Sequence, residues 1–323
     1  MCLLRAFEKK LVDSIFFIKT DRTDCRINRG VCAVIRTLLA LMIGTFLLFS
    51  APTSSEARCS FNCKKIEIKD LVFKIQDKNE EFDLVSMPNK LFFPKNKSEK
   101  HGVVIILHAC AGLTYYEQLH LMEWGELLLE NNYAILVIDH LYPRKVSKNC
   151  YPQTLGSSVL VKDVYSAIAF LNKQPAIDKS RVFSVGFSLG AMTNGALVSA
   201  GRYKQLGNNG PRPRAVAGLY GGCYSSSRWL EGDGDIPVLW LVGGKDNESP
   251  PDSCSWAVNS MEKKGLMTFH KYPNATHCWD CFDLNGWTKT AGNGNRVTYI
   301  YDAKVTEDSK QRVLNFFNSF QSQ

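Results

Sequence analysis

The chain has 323 residues, of which 45% are apolar and 22% charged; this allows one large core and argues against a disordered chain. Its net charge of +8 could serve an acidic partner, but the aromatic residues fall inside apolar runs and no Lys/Arg block interleaves with them. Nucleic-acid binding is therefore set aside, and one α/β domain of roughly 250 residues is the starting expectation.

The N-terminus reads as an address. Arg36 precedes an apolar stretch from Leu38 to Phe49, followed by Pro52 and small residues at Ser55 and Ala57. That stretch is shorter than the ~20 residues needed to span a bilayer, and its small-residue end fits a signal-peptidase site. Residues 1–57 are thus expected to be a leader and signal peptide, leaving a mature domain over 58–323, secreted or periplasmic, with no stable membrane span. The leader ahead of Arg36 is long, which leaves a misplaced start codon or an uncleaved anchor open. Eight of the eleven cysteines lie beyond it: Cys59, Cys63, Cys110, Cys150, Cys223, Cys254, Cys278 and Cys281. An even number in an oxidising compartment is what disulfides require, and five of these cysteines are expected along one rim of the fold. Cys278 and Cys281 have zinc-ligand spacing, but no second Cys pair or paired His accompanies them, so no metal is expected.

From Cys59 onward strands and helices alternate. Residues 66–75 and 84–94 read as antiparallel edge strands. Apolar runs at 102–109, 133–139, 181–187, 215–222, 236–244 and 267–273 read as parallel strands covered on both faces. Helical patterns fall between them at about 116–131, 157–173, 189–200 and 252–265, with a last helix over 306–320; residues 201–214 read as a surface loop. The pattern is a doubly wound, mostly parallel sheet with antiparallel N-terminal strands.

Gly186-Phe187-Ser188-Leu189-Gly190 lies where a buried strand runs into a small-residue helix. Gly-x-Ser-x-Gly is weak alone, but a strand-to-helix turn is its meaningful setting, because the glycines let a strained serine stand clear of its neighbours. A hydroxyl far below its pKa needs a base. In this topology the acid and the histidine follow the serine in chain order, each on a loop at the carboxyl end of a strand. His277 falls on the loop after the strand 267–273, whereas His270 lies inside it, so His277 is the expected base. Asp246 ends the preceding strand through a Gly-Gly turn and is the expected acid; Asp252, Asp280 and Asp283 are weaker candidates. The oxyanion donors are expected to be the backbone N–H groups of Leu189 and of Cys110 in the small-residue loop 108–113. His108, which precedes the nucleophile, is expected to shape that loop.

These stretches resemble the dienelactone hydrolase family of α/β-hydrolases. The resemblance runs through about residues 65–320, carried by His108-Ala-Cys-Ala-Gly-Leu113, Asp139-His-Leu-Tyr-Pro-Arg-Lys145, the serine motif, Gly243-Gly-Lys-Asp246 and the segment 272–283. It implies an α/β-hydrolase fold, with Ser188, Asp246 and His277 on triad positions, Cys110 and Leu189 on oxyanion positions, and Arg144 where an arginine holds a substrate carboxylate. The best-known members carry a cysteine nucleophile and a glutamate in the oxyanion loop; here Ser188 and Ala109 stand in those places. The expected function is therefore a cofactor-free serine hydrolase cleaving small or medium carboxylic esters or lactones through an acyl-enzyme. A peptidase or acyltransferase of the same fold, or a non-catalytic binding protein, remains an alternative.

Overall fold

The computed structural model describes residues 64–65, 72–75, 80–83, 91–95, 100–206, 210–223, 233–262 and 264–320. The expected leader, its cleavage site, Cys59 and Cys63 lie outside the described residues.

An eight-stranded sheet organises the domain. Its strands are β1 (Lys64–Lys65), β4 (Leu91–Phe93), β5 (His101–Leu107), β6 (Ala134–Ile138), β7 (Ile177–Phe187), β8 (Ala215–Leu219), β9 (Val238–Gly243) and β10 (Met267–Tyr272). Their spatial order is β1-β4-β6-β5-β7-β8-β9-β10, parallel from β6 to β10 and antiparallel where β4 meets β6 and β1 meets β4. The expectation of a mostly parallel sheet with antiparallel N-terminal strands holds. The first expected edge strand is met in part only: β2 (Val72–Ile75) pairs with β3 (Glu80–Asp83) in a separate two-stranded ribbon.

Alternate residues of the central strands feed two cores. Val103, Ile105 and Leu107 of β5 pack on one face, with Val161, Val164 and Ile168 of α2 (Ser157–Leu171) and Ala191 and Ala196 of α3 (Leu189–Leu197). Val104 and Ile106 point the other way, to Trp124 and Leu128 of α1 (Tyr115–Glu130) and to Val313 and Phe317 of α6 (Ala303–Asn318). Burial on both faces is why these strands read as unbroken apolar runs. No helix among the described residues is long and apolar enough to cross a membrane.

Element ends depart from expectation for local reasons. The run 215–222 stops being strand at Leu219, because Tyr220 takes φ +43°, outside strand geometry, although its N–H still donates to Leu241 O. The helix expected over 189–200 is two: the Ser199 hydroxyl accepts from Arg202 N at 3.0 Å and starts α4 (Ala200–Gln205), inside what had read as a loop. Likewise, a turn at Pro251–Cys254 precedes α5 (Ser255–Glu262). The last helix begins before residue 306, since Asp302 accepts from the backbone N–H groups of Lys304 and Val305 and so caps α6. Between β10 and α6 the sequence reading passed over a hairpin, β11 (Thr288–Thr290) and β12 (Arg296–Thr298).

The strand order reverses beside β5, whose chain neighbours β6 and β7 lie on its two sides. At such a switch point the loops leaving adjacent strands part and open a crevice at the carboxyl edge of the sheet.

Candidate active site

The loop after β5 and the turn after β7 flank that crevice. Ser188 adopts φ +52° and ψ −108°, a conformation that a side-chain-bearing residue holds only where its surroundings enforce it. The enforcement is visible. Ser188 N donates to Leu219 O at 3.0 Å, and Ser188 O accepts from Met192 N at 3.0 Å in the first turn of α3. A Cβ on Gly190 would lie 2.3 Å from Leu107 O, and one on Gly186 2.3 Å from Gly190 O, so both glycines are required by close backbone approach.

The structure brings Ser188, His277 and Asp246 together. His277 Nε2 lies 3.1 Å from Ser188 Oγ, and His277 Nδ1 lies 2.8 Å from Asp246 Oδ2. Asp246 is 2% exposed and His277 3%, so the pair is shielded from water. The other carboxylate oxygen, Oδ1, accepts from the backbone N–H groups of Glu248 and Ser249, each at 2.8 Å, and this fixes the acid's orientation. Burial alone would depress His277, but the Asp246 charge and hydrogen bond, with the Glu248 charge, outweigh it and hold the imidazole above its ordinary value. The Tyr220 ring lies 4.9 Å from the His277 ring and Tyr299 5.5 Å from it, closing the flanks.

Leu189 N is the first amide of α3, where helix geometry provides no acceptor within the helix. Across the crevice, the loop 108–113 is held from three sides. His108 Nε2 accepts from His140 N at 3.1 Å, which assigns that ring's proton to Nδ1, beside Ala109 O at 2.6 Å. Glu117 Oε1 accepts from Ala109 N at 2.7 Å, and Cys110 O accepts from Asn149 N at 2.7 Å. Cys110 is also bonded to Cys150.

Arg144 makes a fork to Asp163, with Nη2 donating to Oδ1 at 2.7 Å and Nη1 to Oδ2 at 2.9 Å, and Nη1 also reaches His140 O. The same Asp163 accepts from His140 Nδ1 at 2.8 Å. The arginine expected at a substrate carboxylate thus has an internal carboxylate partner.

Two further disulfides, Cys223–Cys254 and Cys278–Cys281, lie on the loops after β8, β9 and β10. All six described cysteines are paired, and each bridge fastens a loop at the site edge, as the rim expectation required. Cys110 is now assigned to Cys150. His120, Asp280 and Cys281 offer ligand atoms within 4.8 Å of one another, but Cys281 has no thiolate while bonded to Cys278. Asp280 Oδ2 already accepts from His120 Nε2 at 2.9 Å and from Trp124 Nε1 at 2.8 Å. These bonds and the His120 charge overcome the effect of burial and hold the Asp280 carboxyl below its ordinary value.

Sequence reasoning missed four residues that interact with His277. Glu117 lies in Thr114-x-x-Glu117, which reads as a helix-capping box, yet its carboxyl turns to the loop 108–113 and is pushed up by burial. Glu248 is two residues past Asp246. Lys289 and Tyr299 come from the hairpin, whose signal was Ala-Gly-Asn-Gly-Asn between β-branched residues.

A strained serine at a strand-to-helix turn, backed by a buried His–Asp pair at the carboxyl edge of a doubly wound sheet, defines the α/β-hydrolase class. The sequence profile described as the dienelactone hydrolase family matches residues 87–321. The chain belongs to that family, which makes it an ester hydrolase. No curated protein matches it. Among solved structures it is similar to a candidate dienelactone hydrolase from Klebsiella pneumoniae, at 18% identity and TM-score 0.55, covering 76% of this chain and 97% of that one. It is also similar to a dienelactone hydrolase-like promiscuous phosphotriesterase from metagenomic libraries, at 17% identity and TM-score 0.53, covering 71% and 91%. A third is Est1E from Butyrivibrio proteoclasticus with ferulic acid bound, at 14% identity and TM-score 0.50, covering 79% and 100%.

Proposed function

We propose that the protein is a serine esterase acting on small or medium carboxylic esters or lactones, with Ser188 as nucleophile, His277 as general base and Asp246 as orienting acid. The observation that carries this reading is the unbroken relay from Asp246 Oδ2 through His277 to Ser188 Oγ, at 2.8 and 3.1 Å. The Ser188 proton passes to His277 Nε2 as Oγ bonds the ester carbon. The carbonyl oxygen becomes an alkoxide facing the N–H groups of Leu189 and Cys110. When the alkoxide re-forms the carbonyl, the alcohol leaves with the proton from Nε2 and an acyl-Ser188 remains. Water then repeats the sequence, giving its proton to Nε2 and releasing the acid. Asp246 keeps the Nδ1 proton in place and balances the imidazolium without itself being protonated.

Arg144, bonded to Asp163 and His140 O, is assigned here to bracing the loop after β6, and the substrate needs no carboxylate. Labelling by a fluorophosphonate, followed by p-nitrophenyl esters of rising chain length, a feruloyl ester and a phosphotriester, tests the reading. Labelling of wild-type protein but not of Ser188→Ala, with carboxylic esters the better substrates, is the expected result. Absence of labelling overturns it.

Export is part of the proposal. The leader pattern and three disulfides among the described residues support a secreted or periplasmic protein. Mass analysis of exported protein should find Arg58 at the N-terminus; an intact leader in a membrane fraction would make it an anchor.

A further inference from the structure

We propose that Glu248 is a positioning residue for His277, tuning the nitrogen that exchanges protons with Ser188; this rests on the esterase reading above. Glu248 Oε2 lies 3.9 Å from His277 Nε2. That is too long for a hydrogen bond, so the carboxylate does not compete with Ser188 for the ring proton. It is short enough for a strong charge interaction with an imidazolium in a partly buried site.

The carboxylate is held in this place by partners on the hairpin segment. Lys289 Nζ lies 2.7 Å from Oε1, and the Tyr299 hydroxyl donates to Oε2 at 2.8 Å. Both partners belong to the hairpin segment, and they brace each other, with Lys289 Nζ 5.2 Å from the Tyr299 ring centre and 5.4 Å from that of Trp287. The hairpin is tied to the acid loop as well, since Asn293 and Asn295 donate side-chain N–H groups to Asn247 O at 2.9 and 3.0 Å. Burial would raise the Glu248 carboxyl, but His277, Lys289 and Tyr299 more than reverse this and keep it ionised.

An ionised carboxylate beside Nε2 favours the doubly protonated ring that forms as Ser188 attacks. It acts on the nitrogen that Asp246 does not touch. Lys289, through its own charge, limits the effect. The charged and titratable groups around His277 are Asp246 and Glu248 after β9, Lys289 on β11, Tyr299 after β12, Tyr220 after β8 and, farther off, Glu117 on α1.

Opposite charges in one pair give the test its sign. The dependence of kcat/KM on pH, measured with p-nitrophenyl butyrate, reports the free-enzyme His277 on its acidic limb. Glu248→Gln should move that limb down by ~0.5–1 pH unit, because the ring loses an anion that favours its protonated form. It should also lower plateau kcat by about three- to tenfold with KM little changed, as befits an interaction made mainly in the transition state. Lys289→Gln should move the limb up, by roughly 0.3–0.5 unit, because Glu248 is no longer neutralised. A merely structural ion pair would leave both limbs in place or move them together, and either result overturns the proposal. Should Glu248→Gln fail to fold, the direction of the Lys289→Gln shift decides alone. Loss of Ser188 labelling by fluorophosphonate in the wild-type protein would instead sink the esterase reading, so the two failures are distinguishable.

Discussion

Two of the buried His–Asp pairs of this protein are joined through the histidine's Nδ1. His277 Nδ1 meets Asp246 at 2.8 Å after β10 and β9, and His140 Nδ1 meets Asp163 at 2.8 Å after β6 and on α2. Both pairs are buried, and a search for an aspartate beside a histidine Nδ1 would return either. They differ in what the rest of the pair touches. Beyond His277 Nε2 lies a strained serine at 3.1 Å, whereas His140 Nε2 has no hydrogen-bond partner among the described residues. Asp246 spends its other oxygen on two backbone N–H groups; Asp163 gives its second oxygen to the Arg144 guanidinium. The lesson is that the pair is generic, and the group at the far nitrogen is what supports the proposal of one as a base and the other as a brace.

Substitution at the serine and its base is the harshest way to break this contrast. Ser188→Ala and His277→Ala should each lower kcat by at least about 10⁴-fold, because residues that act as a unit fail as a unit. His140→Ala should instead keep turnover within about tenfold and lose roughly 1–3 kcal/mol of stability, since Asp163 loses one charge-assisted hydrogen bond but keeps the Arg144 fork. Urea denaturation and ester kinetics on the same preparations check both halves. Equal kinetic losses in the two histidine variants would erase the distinction.

The disulfide beside the His140 loop comes next. Replacing Cys110 and Cys150 together by Ala removes a bridge closing 40 residues, worth about 4 kcal/mol on the chain-entropy account, and should lower Tm clearly. Because that bridge fastens the expected oxyanion loop, kcat should fall as well. A drop in Tm with kcat intact would detach the loop from catalysis.

A milder probe uses pH. His277 is held above its ordinary value of about 6.5, and as the proposed base it works only when deprotonated, so kcat/KM should fall as pH drops through a value above 6.5. An acidic limb below 6 in the wild-type enzyme would mean that burial, and not Asp246, dominates the ring. The smallest effect is expected at the brace: Arg144→Lys keeps the charge but loses the fork, which should cost about 1 kcal/mol and little activity.

Much of this was legible in the chain itself, and unevenly so. The central strands β5 to β10 announced themselves because two-sided burial leaves no polar residue to interrupt the apolar run, and the serine turn because its glycines meet backbone at 2.3 Å. Placement on the loop after the strand then selected His277 over His270, which lies in β10 against Tyr272. What stayed hidden depends on contacts between distant segments. Glu117 sits in a Thr-x-x-Glu capping pattern, which does not disclose its contact with Ala109 of the β5 loop. Glu248 carries no motif of its own, and its partner Tyr299 lies 51 positions later. Arg144 matched a family position, and only the placement of α2 revealed Asp163 as its partner.

The hydrogen bond from Ser188 N to Leu219 O has a consequence for how the enzyme matures. It stitches the elbow at the end of β7 to a strand synthesised about thirty residues later, and the relay is completed only when segments near residues 246 and 277 arrive. An unfavourable backbone conformation cannot persist before the contacts that enforce it exist. Contacts so far apart in sequence also form late, because loop closure precedes their reward. During refolding, helical signal and tryptophan burial should therefore return before ester turnover, which makes activity a report on the completed sheet.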